Sequence, residues 1–526
     1  MAWLRLVIVS ALTTFVSFPP YGMGVLMLVG LVPLFITLDR APNWRAAAFR
    51  AWLFGFITNF LTVSWVPASL QEFANLPPVW AWFSLVVLSA FEQSSWAVLA
   101  ALRYLLHRHY KVHPLFWTPA AVLALEAVWP KYFPTTFGAT FYNLPWLAQA
   151  ADLTGVWGLT ALIAATNEVL AAAIATVLKK STWPLATFKK HAFATAALFL
   201  IVLAYGGFRH AAVRRWMQNP IQYVRVAIVQ TSVNAMNEVR KAKDKASHRA
   251  QLLANTLALS ERAVAEKPDF VFWPETGYPD TYHNRFNPRE ATYVGARLDE
   301  FLLKHKTPFV FGARDMTQDG RWFNAIQFVK PGKRALETDV YHKHLLLPLS
   351  EDVPLAGISA AYDQYMFKRG AAFFARGEGP KLFSINNVQL GPMICVEGLY
   401  PRYVREIAAL GAQILLNATN DAWFGRTSEP SQHLYLTAFR SIETRRPMVR
   451  AATAGHSAVI DIDGSLRMKT ALFEETTVVE DVPVYRDITT PFMVIKDALL
   501  VLSALYAAAA FIRAAQTQRT RARQRQ

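Results

Sequence analysis

The first 208 residues are almost entirely apolar blocks separated by short polar loops. A helix needs about 20 mostly apolar residues to cross about 30 Å of hydrocarbon, where its backbone must satisfy its own hydrogen bonds. The candidate spans are 3–18, 23–38, 47–66, 79–106, 114–130, 158–178, 192–208 and 491–512. The sequence therefore predicts a polytopic α-helical membrane domain with seven helices at 1–208 and one closing helix at 491–512. Because buried charges in lipid are costly, we expect Glu92 and Glu126 to pair within the bundle or to lie near water.

Residues 220–490 have mixed charge, and strand-like runs alternate there with helical ones. Short runs rich in β-branched and aromatic residues predict strands, and longer amphipathic runs predict helices. The predicted strands are 224–230, 270–273, 309–312, 323–329, 388–394, 414–417 and 458–462, and the predicted helices are 246–265, 289–303, 402–409 and 431–445. This alternation predicts an α/β domain with buried sheets, which begins after the change in composition near 209–219.

The formal net charge of +17 is compatible with either nucleic acid or anionic lipid as a partner. Much of the excess lies in short loops between the apolar blocks and in the Arg-rich tail 513–526. Residues 220–490 show no basic stripe interleaved with aromatic residues, which is the pattern typical of a nucleic-acid surface. The charge therefore indicates contact with a lipid bilayer and no nucleic-acid partner.

The placement of Lys and Arg predicts the orientation of the chain, because cytoplasmic loops carry more of both. With the N-terminus inside, the inner loops hold Arg40, Arg45, Arg50, Arg103, Arg108, Lys111, Lys179, Lys180, Lys189 and Lys190. The outer loops hold Glu72 with no nearby cation, and Lys131 with Asp152. The exceptions on the outer side are Arg209, Arg214 and Arg215. We therefore expect 220–490 outside the cytoplasm and the basic tail 513–526 inside it.

The chain has one cysteine, Cys395, which excludes an intramolecular disulfide and argues against a cysteine-based zinc site. A lone cysteine is ordinarily a small buried apolar residue. Here, however, it follows the predicted strand 388–394 at a sharp transition, where an exposed nucleophile commonly lies.

Two further segments supply the groups that a cysteine nucleophile needs. Glu275 follows Trp273-Pro274 at the end of a buried strand, and Lys343 precedes an apolar, Pro-containing loop that ends at Glu351. A thiol with a pKa of about 8.5 needs a base, and the oxyanion formed by its attack needs a fixed positive charge. Singly, such Glu and Lys residues are usually solvated. Together they form a set for acyl transfer.

The order Trp273-Pro274-Glu275, then Tyr341 to Glu351, then Cys395 to Glu397 is similar to the nitrilase superfamily. More closely, the chain resembles the apolipoprotein N-acyltransferases, the integral-membrane branch of that superfamily. Further similarities are the stretches 420–425, 432–433 and 440–450, and in the membrane half 152–167.

The resemblance implies an αββα sandwich at 220–490, with Glu275 as general base, Lys343 as oxyanion stabiliser and Cys395 as nucleophile. It also implies that Glu351 and Glu397 support the site. The residues expected to line it are Asn420, Asp421, Trp423 and Phe424. For that turn, a purely structural role that closes the sandwich core remains an equal alternative.

The implied reaction moves an acyl chain from a membrane phospholipid, through a Cys395 thioester, to the α-amine of a diacylglyceryl-modified apolipoprotein. It needs no metal or other cofactor, and it places the chain in the bacterial inner membrane with 220–490 in the periplasm. The alternatives are a membrane-tethered amidase or hydrolase with the same residues, and a non-enzymatic binding protein. Departures from the family pattern, at Val396, Ser350, Thr453 and Ala454, leave lipid and acceptor preference open. The insert 352–379, rich in Tyr and Phe, is either a lid or a loop packed on the sandwich.

Overall fold

The computed structural model divides the chain into two compact units. The residues it describes are 2–74, 76–181, 183–233, 238–239, 241–282, 293–317, 320–332, 336–348, 351–352, 359, 361, 364 and 374–524. The membrane unit comprises Met1–Ser64, Trp82–Ala212 and Thr490–Gln526. The catalytic unit comprises Val213–Thr489 together with Trp65–Ala81, which comes from between the third and fourth predicted spans.

The membrane unit is helical. Its α-helices, some of which extend past its limits, are Ala2–Ser17, Val32–Asp39, Trp44–Thr62, Pro78–Glu92, Ser94–Tyr104, Trp117–Val128, Pro145–Ala148, Ala151–Thr154, Val156–Val177, Leu185–Met217, Pro491–Ile495 and Ala498–Arg523. Two 3-10 helices, Gly24–Leu28 and Phe137–Asn143, and one π-helix, Leu105–His109, connect them.

Within the described residues, four helical stretches are long and apolar enough to cross a membrane: Pro78–His109, Val156–Val177, Leu185–Met217 and Ala498–Arg521. Trp44–Thr62 and Val66–Glu72 pass the same test together, although a bend of 51° separates them. Shorter apolar helices, Ala2–Ser17, Gly24–Asp39 and Trp117–Val128, lie where the sequence predicts three further spans. The chain is thus a multi-pass membrane protein, and the count of eight spans stays a prediction.

Three charged side chains inside the membrane unit have polar or charged partners, as expected from their cost in lipid. The buried Arg103 lies 2.6 Å from Asp39 and 3.3 Å from Glu168. Glu92 accepts a hydrogen bond of 3.1 Å from Asn59, and Glu126 lies 3.8 Å from Lys131.

The catalytic unit contains two six-stranded sheets. The strands are β1 (Gln222–Gln230), β2 (Phe270–Phe272), β3 (Phe309–Met316), β4 (Trp322–Pro331), β5 (Leu336–His342), β6 (Phe383–Ile385), β7 (Val388–Ile394), β8 (Ile414–Asn420), β9 (Met448–Thr453), β10 (Ala458–Ile460), β11 (Leu466–Lys469) and β12 (Thr476–Val484). The first sheet has the order β12-β1-β2-β3-β4-β5, and the second has the order β11-β10-β9-β8-β7-β6. Strands β1, β2 and β3 run parallel, so their C-terminal ends lie at one edge of the first sheet. Strands β7, β8 and β9 also run parallel, so their C-terminal ends lie at one edge of the second sheet.

Three apolar clusters define the layers. One joins the two sheets face to face, with Phe272 and Phe328 from the first sheet and Leu416 from the second. Another packs the first sheet on Lys245–Ala265 and Tyr293–His305, and the last packs the second sheet on Pro401–Ala409 and Glu429–Thr444. This is an αββα sandwich, which confirms the expected fold class.

All seven predicted strands are present, with ends that differ by a few residues. The sequence missed β5, β6, β9, β11 and β12. β5 and β12 carry polar residues on both faces. β9 is wholly buried although Arg450 lies within it. None of these three strands therefore shows the alternation of polar and apolar residues that predicts a strand. Residues 289–292 of a predicted helix, Ser350 and most of the 352–379 insert lie outside the described residues.

Candidate active site

Glu275 lies in the turn that follows β2 and is 7% exposed. Asn324 Nδ2 donates to its Oε1 at 2.7 Å, and the Asn420 backbone N–H donates to its Oε2 at 2.9 Å. Gly312 makes room for this turn, because a Cβ there would lie 2.5 Å from the Glu275 Cα. The Glu275 carboxylate is therefore fixed from both sheets.

Lys343 follows β5 directly and is 1% exposed. Its Nζ lies 2.7 Å from Oε2 of Glu351 and 3.6 Å from Oε1 of Glu275. Asn324 Nδ2 also donates to Glu351 Oε1 at 2.8 Å, so one amide joins the two carboxylates. Glu351 Oε2 in turn accepts from the Leu347 backbone N–H at 2.9 Å, which closes the loop around the ammonium group.

Cys395 begins a 3-10 turn, Cys395–Leu399, directly after β7. Its φ of +52° lies in the left-handed region, which costs a non-glycine residue about 1–2 kcal/mol. Its backbone carbonyl accepts hydrogen bonds of 3.2 Å from Asn417 Nδ2 and from His433 Nε2. Such strain is tolerated where surrounding contacts over-determine the backbone, as they do at this turn.

Glu397 connects the cysteine turn to the lysine loop and is fully buried. Oε1 accepts from the backbone N–H groups of His344 at 2.7 Å and Leu345 at 3.0 Å. Oε2 accepts from the Ile394 N–H and from the Tyr341 hydroxyl, both at 2.7 Å. One carboxylate thus ties the residue before the thiol to the loop after Lys343.

The charges of the three central groups interact. Burial raises the pKa of Glu275, and the nearby Glu351 raises it further although Lys343 opposes this. Burial alone would lower the pKa of Lys343, but the two carboxylates outweigh it and the pKa lies above its ordinary value. Burial and the Glu275 charge raise the pKa of the Cys395 thiol well above its ordinary value, against the effect of Lys343. The resting site therefore contains a thiol, a permanently charged ammonium group and an unusually basic carboxylate.

The turn Asp421–Phe424 follows β8. Asn420 caps it by accepting from the Ala422 N–H at 3.2 Å and donates to the Thr276 hydroxyl at 3.0 Å. Asp421 is fully buried. Phe424 packs edge-on against Trp65 with ring centroids 5.1 Å apart, so Trp65 contacts this turn. The structural role left open by the sequence is present in these contacts.

Among the described residues, Asp421, Glu429 and His433 have donor atoms within 4.8 Å of one another, a spacing that could hold a metal ion. The guanidinium of Arg450 already lies 2.8 Å from Asp421. A fixed cation at that distance opposes a divalent ion at the same carboxylate, so we assign no metal site there.

Two protein families match different parts of the chain. Residues 225–487, half of the chain, match the carbon-nitrogen hydrolase family. The chain belongs to this family. Residues 10–169 match a second family, the apolipoprotein N-acyltransferase N-terminal domain. The pair of matches confirms the resemblance to the membrane branch of the nitrilase superfamily.

Individual relatives give the same picture. Apolipoprotein N-acyltransferases from Bdellovibrio bacteriovorus and Geobacter metallireducens are 28% and 29% identical to this member of the carbon-nitrogen hydrolase family. The alignments cover 88% and 89% of this chain and 84% and 87% of the relatives. A solved amidase from Nesterenkonia sp. is 19% identical with a TM-score of 0.37, over 53% of this chain and 96% of that one. The two sequence relatives align over most of their own length, so the similarity extends across both families matched.

The sequence predicted the central residues of the site but not all of the residues that contact them. Glu275, Lys343, Glu351, Cys395 and Glu397 lie together. Asn324 was missed, although an amide near the start of the largely apolar run 323–329 was a usable signal. Trp65 had no signal, because nothing local in the sequence places it beside Phe424.

Proposed function

We propose that this enzyme is a phospholipid:apolipoprotein N-acyltransferase that uses Cys395, Glu275 and Lys343. The observation that carries the proposal is the presence, in one chain, of the buried Glu275–Lys343 pair next to the half-buried Cys395 and a helical unit matching the acyltransferase N-terminal domain. A nitrilase-type site in water would serve an amidase. The same site in a multi-pass membrane protein has access to acyl esters of lipids.

In the first half-reaction, Cys395 Sγ attacks the ester carbonyl of a membrane phospholipid. Glu275 removes the thiol proton, and its raised pKa makes it a stronger base near neutral pH. Lys343, charged at all relevant pH values, stabilises the oxyanion. The carbon–oxygen bond then breaks, the proton passes to the departing alkoxide, and lysophospholipid leaves a thioester on Cys395.

In the second half-reaction, the free α-amine of a diacylglyceryl-modified apolipoprotein attacks the thioester. Glu275 accepts the amine proton as the carbon–nitrogen bond forms, and the proton returns to the sulfur as the thiol leaves. No energy source is required, because the thioester stores the acyl group. The products are an N-acylated lipoprotein and free enzyme.

The loop charges support a location in the bacterial inner membrane, with the catalytic unit in the periplasm. An impermeant protease should cut the catalytic unit only from the periplasmic side and the basic tail only from the cytoplasmic side. Cleavage of the catalytic unit from the cytoplasm would contradict both this orientation and the lipoprotein substrate.

The acyl-enzyme gives the sharpest test, because the chain has one thiol. With phospholipid alone, the mass of the Cys395 peptide should increase by one acyl chain, and the thioester should persist. Adding a diacylglyceryl peptide with a free N-terminal cysteine should discharge it.

The same peptide with an acetylated α-amine is the matched control and should leave the thioester in place. Cys395→Ala should show no mass change and should keep the fold. Rapid release of free fatty acid without an acceptor would contradict the transferase and favour the hydrolase.

A further inference from the structure

The backbone carbonyl of Cys395 is held by two side chains whose own partners lie deeper in the unit. Asn417 and His433, the two donors to this carbonyl, are 0% and 1% exposed. Both are therefore buried, and neither is Glu275, Lys343 or Cys395 itself. Their positions are set by hydrogen bonds to other buried residues.

Both donors lead to Arg450, which is fully buried in β9. Arg450 Nη1 donates to Asn417 Oδ1 at 2.5 Å, and these two residues are direct partners in the register of β8 and β9. We call this contact, together with the bond from Asn417 to the Cys395 carbonyl, the amide branch.

The second guanidinium nitrogen starts a carboxylate branch. Arg450 Nη2 donates to Asp421 Oδ2 at 2.8 Å, and Asp421 Oδ1 lies 3.2 Å from His433 Nδ1. The Thr419 hydroxyl also donates to Asp421 Oδ1 at 2.9 Å, and it hydrogen-bonds the Cys395 sulfur. This contact lowers the thiol pKa, against the larger effect of burial. The carboxylate branch thus reaches both the carbonyl and the sulfur of Cys395.

Proton counting supports a hydrogen bond from His433 to the Cys395 carbonyl. Nδ1 of His433 faces Asp421 and lies 3.5 Å from Glu429, whereas Nε2 faces the carbonyl. A neutral imidazole with hydrogen only on Nδ1 would set two lone pairs against each other at 3.2 Å. Burial raises the pKa of Glu429 well above its ordinary value and lowers that of His433. The Cys395 carbonyl oxygen can only accept, so we assign a hydrogen to Nε2 in this contact.

We propose that Arg450 is a positioning residue that fixes the orientation of the Cys395 thiol through the amide branch and the carboxylate branch. The proposal rests on Cys395 being the nucleophile. Arg450 has no exposed surface and so does not touch substrate. Its planar fork serves two acceptors at once, and a lysine ammonium does not reproduce that geometry. The strained φ of Cys395 needs contacts that hold it, and the two branches supply them. Without these contacts the turn can relax and move the sulfur.

The two branches could act on the thiol through their charge or by fixing its position. These two effects predict opposite changes in the alkylation rate of Asp421→Asn. Burial is the main reason that the thiol pKa is high, and the Asp421 charge raises it further. If charge were all that mattered, Asp421→Asn would lower the thiol pKa and accelerate alkylation near neutral pH. If position matters, the same variant keeps only one acceptor oxygen, which turns either to Arg450 or to His433 and Thr419, so one side of the carboxylate branch is lost and alkylation slows.

The experiment measures alkylation of Cys395 by iodoacetamide in the full-length enzyme, over a pH series that spans the thiol titration. The midpoint reports the thiol pKa, and the plateau reports access and orientation. For Arg450→Lys and Asp421→Asn, we expect the plateau rate to fall by about 10- to 100-fold, the loss that follows a displacement of about 1 Å. Wild-type plateau rates in folded variants would overturn the proposal.

The matched control is Asp461→Asn. Asp461 is also fully buried and pairs with an arginine, Arg467, at 3.0 Å, but it lies in the turn between β10 and β11. This variant should keep the wild-type plateau rate. An equal loss there would mean that any broken buried pair has the same effect, which would also overturn the proposal.

A second pair of variants serves if Arg450→Lys does not fold. His433→Gln keeps an amide donor for the Cys395 carbonyl, and His433→Leu does not. The plateau rate should be higher for Gln than for Leu, and equal rates would refute the role of the branch. Alkylation uses no acyl donor. A reactive wild-type thiol that never forms a thioester would therefore contradict the proposed function and leave this inference standing.

Discussion

Replacing Glu397 by Gln changes one carboxylate oxygen into an amide nitrogen at the junction between the cysteine turn and the lysine loop. All four partners of this carboxylate are donors: three backbone N–H groups and the Tyr341 hydroxyl, which can also donate to Tyr403, 2.6 Å away. A protonated carboxyl would set its own hydrogen against one of them, so the ionised form fits the site. Glutamine has one acceptor oxygen, and the amide must turn toward one pair of donors.

The better orientation of the amide places its nitrogen near Ile394 N–H and the Tyr341 hydroxyl. The hydroxyl can turn to accept, but the Ile394 N–H is left buried without an acceptor. Losing a hydrogen bond to a charged group and leaving a buried donor unpaired costs about 3 kcal/mol. For a unit of this size we expect the Tm to fall by about 6–12 °C. Because Ile394 directly precedes Cys395, thioester formation should fall by about 10- to 100-fold.

Thermal unfolding and the rate of Cys395 acylation would be measured on the same preparation. Glu261→Gln is the control, since Glu261 lies 3.3 Å from Lys304 in an exposed pair worth at most about 1 kcal/mol. Its Tm should change by no more than about 4 °C. If Glu397→Gln has the Tm and the acylation rate of the wild type, the four hydrogen bonds to Glu397 do not hold the cysteine turn.

Three further outcomes follow from the same geometry. Glu351→Ala leaves the buried Lys343 ammonium without its nearest carboxylate, and breaking such a pair costs about 3–5 kcal/mol; acyl transfer should fall far more than membrane insertion. The acylation rate should fall as the pH falls through the raised pKa of Glu275. Glu351→Gln removes the charge that raises this pKa, so the fall should move to lower pH. An unchanged pH–rate profile would contradict the effect of Glu351 on Glu275. Gly312→Ala should displace the Glu275 turn and slow acylation, because the new Cβ meets backbone at 2.5 Å; Gly207→Ala, with no atom within 4 Å, should acylate as the wild type does.

The fold class was accessible from the sequence because two physical patterns are strong and local. Apolar blocks of spanning length have few alternatives to membrane helices, and short β-rich runs alternating with amphipathic helices have few alternatives to an α/β domain. Strands such as β5 and β12 were missed because they carry polar residues on both faces, so their sequences show neither a continuous apolar run nor a clean alternation.

The candidate chemistry was also local in the sequence. Glu275, Lys343 and Cys395 each follow a strand, and the chemistry of acyl transfer requires a base, a cation and a nucleophile. That order of motifs was enough to name the family, and the match over residues 225–487 confirms it. The roles of the three residues remain proposals that the acylation experiments address.

What the sequence determined by itself is therefore the set of elements and the reactive groups at their ends. The tertiary structure decided which residues hold those groups. Asn324 joins Glu275 to Glu351 because β4 lies between β3 and β5 in the sheet. Arg450 meets Asn417 because β9 pairs in parallel with β8 in one particular register, and Trp65 reaches Phe424 from a distant part of the chain. Such contacts depend on strand order and register, which arise from packing over the whole unit and leave no pattern in any short stretch of sequence.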